Sequence, residues 1–296
     1  MQVLVTGASG FVGQTLCKQL AAHNHAYNVV RREALDPACY SGAYDCMIHL
    51  AGRAHVMHDK ATDIYRAYAT VNIEYTFKVA ELARQLQIKR FVFLSSIKVN
   101  GEASVHPFTE TDPPAPLDAY GKTKMEAEFV LREFCTKHQI ELVIIRPPLI
   151  YGPGVKANFK QLIKLCLLPV PLPLASLNNK RSFVNLDNLV DFIILCCTHQ
   201  QAANQTFLIS DDEDMTIAEL IRTVRRANQQ TSRLFPVPPW LLQYLFEFIG
   251  KSGLTQRLLG TLQVDISKAK TLLGWQPILS FHDGIAKTLK ETQSIC

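Results

Sequence analysis

Val3-Leu4-Val5-Thr6-Gly7-Ala8-Ser9-Gly10-Phe11-Val12-Gly13 opens the chain with an apolar β-branched run, three glycines spaced GxxGxxG, and the start of a helical pattern that continues to Ala22. Glycines let a backbone turn tightly and approach a pyrophosphate, and the free N–H groups and dipole at a helix start favour its negative charge. A strand before the glycines and a helix after them is the context this motif demands. Gly7, Ser9, Gly10, Phe11, Val12 and Gly13 are therefore candidate contacts of a dinucleotide.

Outward from this unit, short apolar runs alternate with helical stretches. Strands are expected at Val3 to Val5, Tyr27 to Val30, Cys46 to Leu50, Arg90 to Leu94 and Leu142 to Ile145, and helices at Phe11 to Ala22, Ile64 to Leu86 and Tyr120 to Lys137. Such alternation implies right-handed βαβ units and a parallel sheet covered on both faces. The fold class is thus α/β: a Rossmann-type doubly wound parallel sheet with a smaller, mostly C-terminal substrate lobe. After Tyr151-Gly152-Pro153-Gly154 the alternation decays into a Pro- and Leu-rich region, and a second βα passage returns from Phe183 to Cys197. We expect residues 1–153 and 181–208 to form the core, and 154–180 and 209–296 the lobe.

Composition narrows the class. The 296 residues are 48% hydrophobic and 19% charged, far from the signature of disorder. The net charge of +5 is spread without a run of like charges, which argues against nucleic acid as a partner and suits an anionic small substrate. Eight cysteines show no CxxC spacing and read as small buried hydrophobes of a reducing cytosol; no ligand pattern for a metal appears. No signal peptide is read at the N-terminus. No membrane span is expected, because Pro169, Pro171 and Pro173 break the stretch from Leu162 to Leu177, and Trp240 to Ile249 is half the needed length. That second stretch reads as a core or interface helix, with peripheral contact at the inner face of a membrane as its other use.

At the end of the second strand a dinucleotide site reads the adenosine ribose: an acidic residue bonds the 2′-hydroxyl of NAD, whereas arginine accepts the 2′-phosphate of NADP. Here stand Val29-Val30-Arg31-Arg32, with no Asp. Arg31 and Arg32 favour NADP(H), with NAD(H) the other choice. Ser96 follows the strand ending at Leu94, and Tyr120 and Lys124 lie four apart on one helix face. An ammonium beside a phenol favours its ionised form; bringing a tyrosine from ~10 to ~7 takes roughly 4 kcal/mol.

With these residues in place, the chain resembles the extended short-chain dehydrogenase/reductases, in their NAD-dependent epimerase/dehydratase branch. The resemblance spans nearly the whole length, through TGASGFVG, His49-Leu50-Ala51-Gly52, Val71-Asn72, FVFLSSIKVNG, YGKTK, IIRPPLIYGPG, RSFVNLDNLVD and LGWQP. It implies Tyr120 as general acid/base, Lys124 as the group that lowers its pKa and bonds the nicotinamide ribose, and Ser96 as a contact of the sugar O4. Leu50, Ala51, Gly52, Asn72 and Pro147 would line the cofactor. Asn158, Arg181 and Arg257 would hold a UDP diphosphate, and Lys98 would reach the substrate or remain a loop lysine. Where relatives carry an Asn two residues before the Tyr-Gly-Pro, this chain has Leu149 and lacks that amide.

The 4,6-dehydratases place Thr-Asp-Glu where Ser96-Ile97-Lys98 stands, and a lysine cannot serve as their carboxylate base. Dehydration is therefore not expected. The segments IHLAGRAHVM, LSSIKVNGE and NKRSFVNLDNLV are most similar to bacterial enzymes of surface-polysaccharide (lipopolysaccharide O-antigen) clusters. The expected activity is NAD(P)H-dependent reduction of the C4 ketone of a UDP-2-acetamido-2,6-dideoxy-4-hexulose, giving UDP-N-acetylquinovosamine. The alternatives are a UDP-hexose or UDP-N-acetylhexosamine 4-epimerase with tightly bound NAD, and a non-catalytic NAD(P)-binding sensor. A cytoplasmic homodimer is expected, paired through the helices from Ile64 to Leu86 and Tyr120 to Lys137.

Overall fold

The computed structural model describes residues 1–54, 62–155, 157–238, 240–242, 244 and 260–293. In chain order the first half contains β1 (Gln2–Thr6), α1 (Phe11–Ala22), β2 (Ala26–Val30), β3 (Cys46–His49), α2 (Ile64–Ala69), α3 (Tyr75–Gln85), β4 (Arg90–Leu94), α4 (Ala119–His138) and β5 (Glu141–Arg146). The second half adds β6 (Leu149–Tyr151), α5 (Ala157–Cys166), β7 (Lys180–Arg181), β8 (Phe183–Asn185), α6 (Leu186–Thr198), β9 (Thr206–Leu208), β10 (Met215–Thr216), α7 (Ile217–Ala227), α8 (Ser267–Leu273) and α9 (Phe281–Gln293).

Six strands form one parallel sheet in the order β2-β1-β3-β4-β5-β9. β3 and β4 are buried at every position and β5 at all but its first, which is why they read as continuous apolar runs rather than alternating ones. One face of the sheet buries Val3, Val5, Ile48, Val92 and Val143 with α1, α6 and α8; the other buries Leu4, Met47, Phe91, Phe93 and Ile144 with α3 and α4. A third core joins Tyr151, Phe159, Phe183 and Phe281 with α5, α7 and α9. There β6 pairs with β8, and β7 with β10. The chain leaves β1 toward β2 on one side and returns to β3 on the other, so a crevice opens at the carboxyl ends of β1 and β3, where ligands of such sheets bind.

The stretch from Ile64 to Leu86, expected as one regular helix, is helical to Gln85 but widens into a π-turn over Thr70–Glu74. Of the described cysteines, Cys46, Cys135, Cys166, Cys196 and Cys197 are buried as expected, Cys17 is half-buried, and Cys39 is exposed. No helix among the described residues is long and apolar enough to cross a membrane.

His49 locks the sheet to the π-turn. It is fully buried among Tyr75, Phe91 and Phe93. The Thr76 hydroxyl donates to Asn72 O (2.7 Å), so it must accept from His49 Nε2 (2.9 Å). Nδ1 is then the acceptor of the Thr6 hydroxyl (2.7 Å), which itself accepts from Ala51 N (3.2 Å). Every proton in this chain has one place, and the imidazole is neutral. Burial, helped by the charge of Lys124, pulls its pKa down to about 3.

Between that value and the ~6.5 of an unfolded histidine, the unfolded chain binds a proton the folded one refuses. Stability contributed by His49 is therefore complete above ~6.5 and is lost as pH falls toward 3, by up to roughly 1.4 kcal/mol per pH unit. Asp211, its carboxyl raised to about 6 chiefly by burial, acts in the opposite sense below that pH. A His49→Gln variant should lose Tm less steeply than the parent between pH 6.5 and 4.5, with equal slopes refuting this role for His49.

Candidate active site

The crevice is built from the loops at the carboxyl ends of β1, β3, β4 and β5. After Thr6 the chain turns at Gly7, whose φ of +70° suits glycine, and a Cβ there would lie 2.7 Å from Ala51 N. A Cβ on Gly13 would lie 2.2 Å from Gly7 O and 2.7 Å from Ala8 Cα. The first turn of α1 thus sits against the turn that precedes it, with Gly10 as N-cap and no side chain capping the helix. This narrow, side-chain-free cradle at a helix start fits the diphosphate of a dinucleotide. Val12 and Gly13 are buried, Phe11 is half-buried, and Ser9 and Gly10 are exposed at the rim.

Asn72, fully buried on the π-turn, faces the next loop. Its Oδ1 accepts from Arg53 N (2.8 Å), while Nδ2 donates to Arg53 O (3.2 Å) and Thr123 Oγ1 (3.0 Å). A Cβ on Gly52 would lie 3.3 Å from both Asn72 Oδ1 and Lys124 Nζ, so Gly52, Asn72 and Lys124 meet at one floor. Leu50 and Ala51 border it, both half-buried. Pro147 is buried beyond β5, where its carbonyl accepts from Ile97 N (3.0 Å).

α4 begins at Asp118, whose carboxylate accepts from Gly121 N (2.7 Å), a cap that contributes ~1 kcal/mol and fixes where Tyr120 emerges. Tyr120 is half-buried, bonded to Ser96, and its ring lies 6.2 Å from that of Tyr68. Lys124 is buried; its ammonium donates to Leu94 O (2.8 Å) and lies 4.4 Å from the centre of the Phe93 ring. Burial lowers its pKa to about 8 against the raising influence of Glu128. Burial, reinforced by Asp118 and Tyr68 and opposed by Ser96, raises the Tyr120 phenol to about 12. The Lys124 ammonium is held by Leu94 O, and the Tyr120 phenol is neutral.

Lys98 is ion-paired on two sides. Its ammonium bonds Glu102 (2.9 Å) and Asp118 (2.5 Å), tying the loop after Ser96 to the start of α4. Arg181, on β7, donates to Gly260 O (2.9 Å) and lies in the field of Glu102. Arg31 and Arg32 are exposed just past β2, and the Arg32 guanidinium stands 5.4 Å from the Tyr75 ring. Asn158 belongs to α5, but its side chain is outside the described residues, as is the whole of Arg257. A cleft of about 400 Å³ is lined by Asn100, Glu102, His106, Phe108 and Leu117. Sequence reasoning passed over Thr6, Thr76, Asp118, Thr123 and Glu128. Asp118 was signalled by its place two residues before Tyr120, and Glu128 by continuing the four-residue stripe of Tyr120 and Lys124.

Residues 3–210 match the NAD dependent epimerase/dehydratase family, and the chain belongs to that family. A UDP-glucose 4-epimerase of Vibrio cholerae is 41% identical over 307 aligned positions, covering 97% of this chain and 94% of the relative. Among solved structures, a UDP-glucuronic acid 4-epimerase from Bacillus cereus, in complex with UDP-glucuronic acid and NAD, superposes with a TM-score of 0.80 at 22% identity over all of both chains. RMD from Pseudomonas aeruginosa, complexed with NADPH, also gives 0.80, at 19% identity over 100% of this chain and 98% of that one.

Replacing Gly13 tests the cradle. Gly13→Ala forces a Cβ into the Gly7 carbonyl, where backbone rather than a flexible side chain must give way. Calorimetric titration should show dinucleotide affinity falling by at least roughly tenfold, the loss of one charge-assisted hydrogen bond; unchanged affinity would remove the cradle from binding.

Proposed function

We propose that the chain interconverts the C4 epimers of a UDP-hexose or UDP-N-acetylhexosamine. The observation that carries this reading is the Ser96–Tyr120 pair set over the Gly52, Asn72 and Lys124 floor beside the glycine cradle. The near full-length likeness to a UDP-glucose 4-epimerase supports the choice of reaction. A nicotinamide dinucleotide, when bound, supplies the hydride chemistry at C4. Gly7 to Gly13 and the start of α1 would hold its diphosphate, and Leu50, Ala51, Asn72 and Pro147 its nicotinamide half.

The residues of the chain do the rest. Ser96 holds the sugar O4 by a hydrogen bond, and Tyr120 exchanges the O4 proton. Lys124, itself buried against the Phe93 ring, places a positive charge beneath that exchange. Arg181, next to Glu102 at the cleft, is placed to bind a diphosphate oxygen. Among the described residues, Glu102 and Asp118 are ion-paired to Lys98 and Glu128 to Arg146, so none of these carboxylates is a free base for a dehydration at C5. Phe77 and Phe129, exposed by 41% and 70% on α3 and α4, support pairing of two copies through these helices.

A second reading, reduction of a 4-keto-6-deoxy UDP-sugar by NADPH, is favoured by Arg31 and Arg32, exposed where a 2′-phosphate would lie. It uses the same Ser96, Tyr120 and Lys124. The two readings separate in one preparation. The epimerase is expected to release NAD on denaturation and to equilibrate UDP-glucose or UDP-N-acetylglucosamine with its C4 epimer without added reductant. Tyr120→Phe should slow that turnover by roughly 10²- to 10⁴-fold with dinucleotide still bound. No epimer, together with NADPH consumption on a 4-keto-6-deoxy sugar, replaces it with the reductase. In that case Arg31→Ala with Arg32→Ala should erase a roughly ten- to hundredfold preference for NADPH over NADH.

A further inference from the structure

Three consecutive residues at the exit of β4 are stitched to three residues of α4 spaced four apart. Ser96 bonds Tyr120, Leu94 O accepts from Lys124 Nζ (2.8 Å), and Ser95 Oγ donates to Glu128 Oε1 (2.5 Å). Four-residue spacing puts Tyr120, Lys124 and Glu128 in one stripe along the helix. Glu128 is 3% exposed, and its other partners come from β5: Arg146 Nε donates to Oε1 (2.9 Å) and Arg146 Nη2 to Oε2 (2.5 Å). Arg146 also donates to Asn100 Oδ1 (3.0 Å), at the end of the loop that begins with Ser96. The backbone follows the same seam, with Ser95 N bonded to Ile145 O (2.8 Å).

We propose that Glu128 is a positioning residue of the site: through Ser95 it fixes the height of α4 against the β4 exit, and it sets a buried carboxylate one helical turn from the Lys124 ammonium. This rests on the reading of Ser96, Tyr120 and Lys124 as the reacting set. Among the described residues, the groups facing this pair are these. Glu128 meets Arg146 from β5 and Arg132 on its own helix (4.0 Å); Lys124 meets neutral His49 from β3, with Tyr120 one turn below. Burial lowers the ammonium and Glu128 raises it, so removing the carboxylate leaves burial unopposed.

The test is Glu128→Gln, which keeps shape and an acceptor for Ser95 but drops the charge. Its kcat should fall about tenfold with the sugar KM within about twofold, the pattern of a lost transition-state arrangement. The alkaline limb of the kcat–pH profile should move down by roughly one pH unit. NADH fluorescence titrations across pH, which need no turnover, should show the alkaline loss of affinity moving by the same amount. A lower Tm with kcat and both pH midpoints unmoved would reduce Glu128 to a purely structural ion pair and overturn the proposal.

Should Glu128→Gln fail to fold, Ser95→Ala cuts the stitch and leaves the Arg146 pair whole. It should lower kcat by about fivefold or more at unchanged KM, and wild-type kcat would refute the positioning role. Epimerisation and NADPH-dependent reduction use the same three residues, so either turnover serves as the assay. Wild-type enzyme inactive in both would sink the functional reading, while the NADH titrations would still decide on Glu128.

Discussion

The architecture depends on how closely α1 begins beneath the end of β1. A Cβ on Gly13 would sit 2.2 Å from Gly7 O, and one on Gly7 would sit 2.7 Å from Ala51 N, so the turn is wedged between its own helix and the loop after β3. Only glycine permits both approaches. Through that wedge, Gly7 is pressed on Ala51, Ala51 N is bonded to Thr6, and Thr6 to His49, which reaches through Thr76 to the carbonyl of Asn72. The glycine turn and the Asn72 floor are thus ends of one hydrogen-bonded path.

The π-turn over Thr70–Glu74 is the second consequence. Widening a helix by one residue sacrifices regular bonding, and such turns persist where surrounding contacts hold them. Here the Thr76 hydroxyl accompanies the Asn72 carbonyl, while the Asn72 amide clasps both the N–H and the C=O of Arg53 and the Thr123 hydroxyl. One side chain therefore fastens the loop after β3 to α4, four residues after Ala119 and next to Lys124. A regular helix would turn Asn72 by about 100° relative to the residues beyond it, away from one of these partners.

The sheet, its parallel sense and the glycine turn were legible in the sequence because each leaves a local signal: continuous apolar runs, alternation with helical stretches, and glycines at a strand exit. Ser96, Tyr120 and Lys124 were legible for the same reason. Less visible were features decided by contacts between distant segments. The π-turn has no signature apart from its partners Arg53 and Thr123. Lys98 reads as a loop cation until the fold brings Asp118 and Glu102 to it. The reaction itself was the harder matter: the sequence pointed first to a 4-ketone reductase, whereas the full-length likeness to a UDP-glucose 4-epimerase favours epimerisation, and both reactions draw on the same side chains. The residues that react do not by themselves encode whether the hydride returns to the same sugar.

What the site must reconcile is a charge that chemistry requires and a dryness that opposes it. Burial lowers Lys124 to about 8 and raises Tyr120 to about 12, so each is driven toward its neutral form. A neutral Tyr120 is a ready proton donor but a poor acceptor; only a nearby positive charge makes the reverse transfer accessible. On the epimerase reading proposed above, the phenol runs both directions, and the charge state of Lys124 then decides the reverse transfer. Removing an isolated partner from a buried pair costs about 3–5 kcal/mol, so Glu128 could not persist in the core without Arg146. The Arg146 pair is therefore what allows a buried carboxylate to stand one helical turn from Lys124, where an aqueous carboxylate would be screened and an apolar residue would leave the ammonium unsupported.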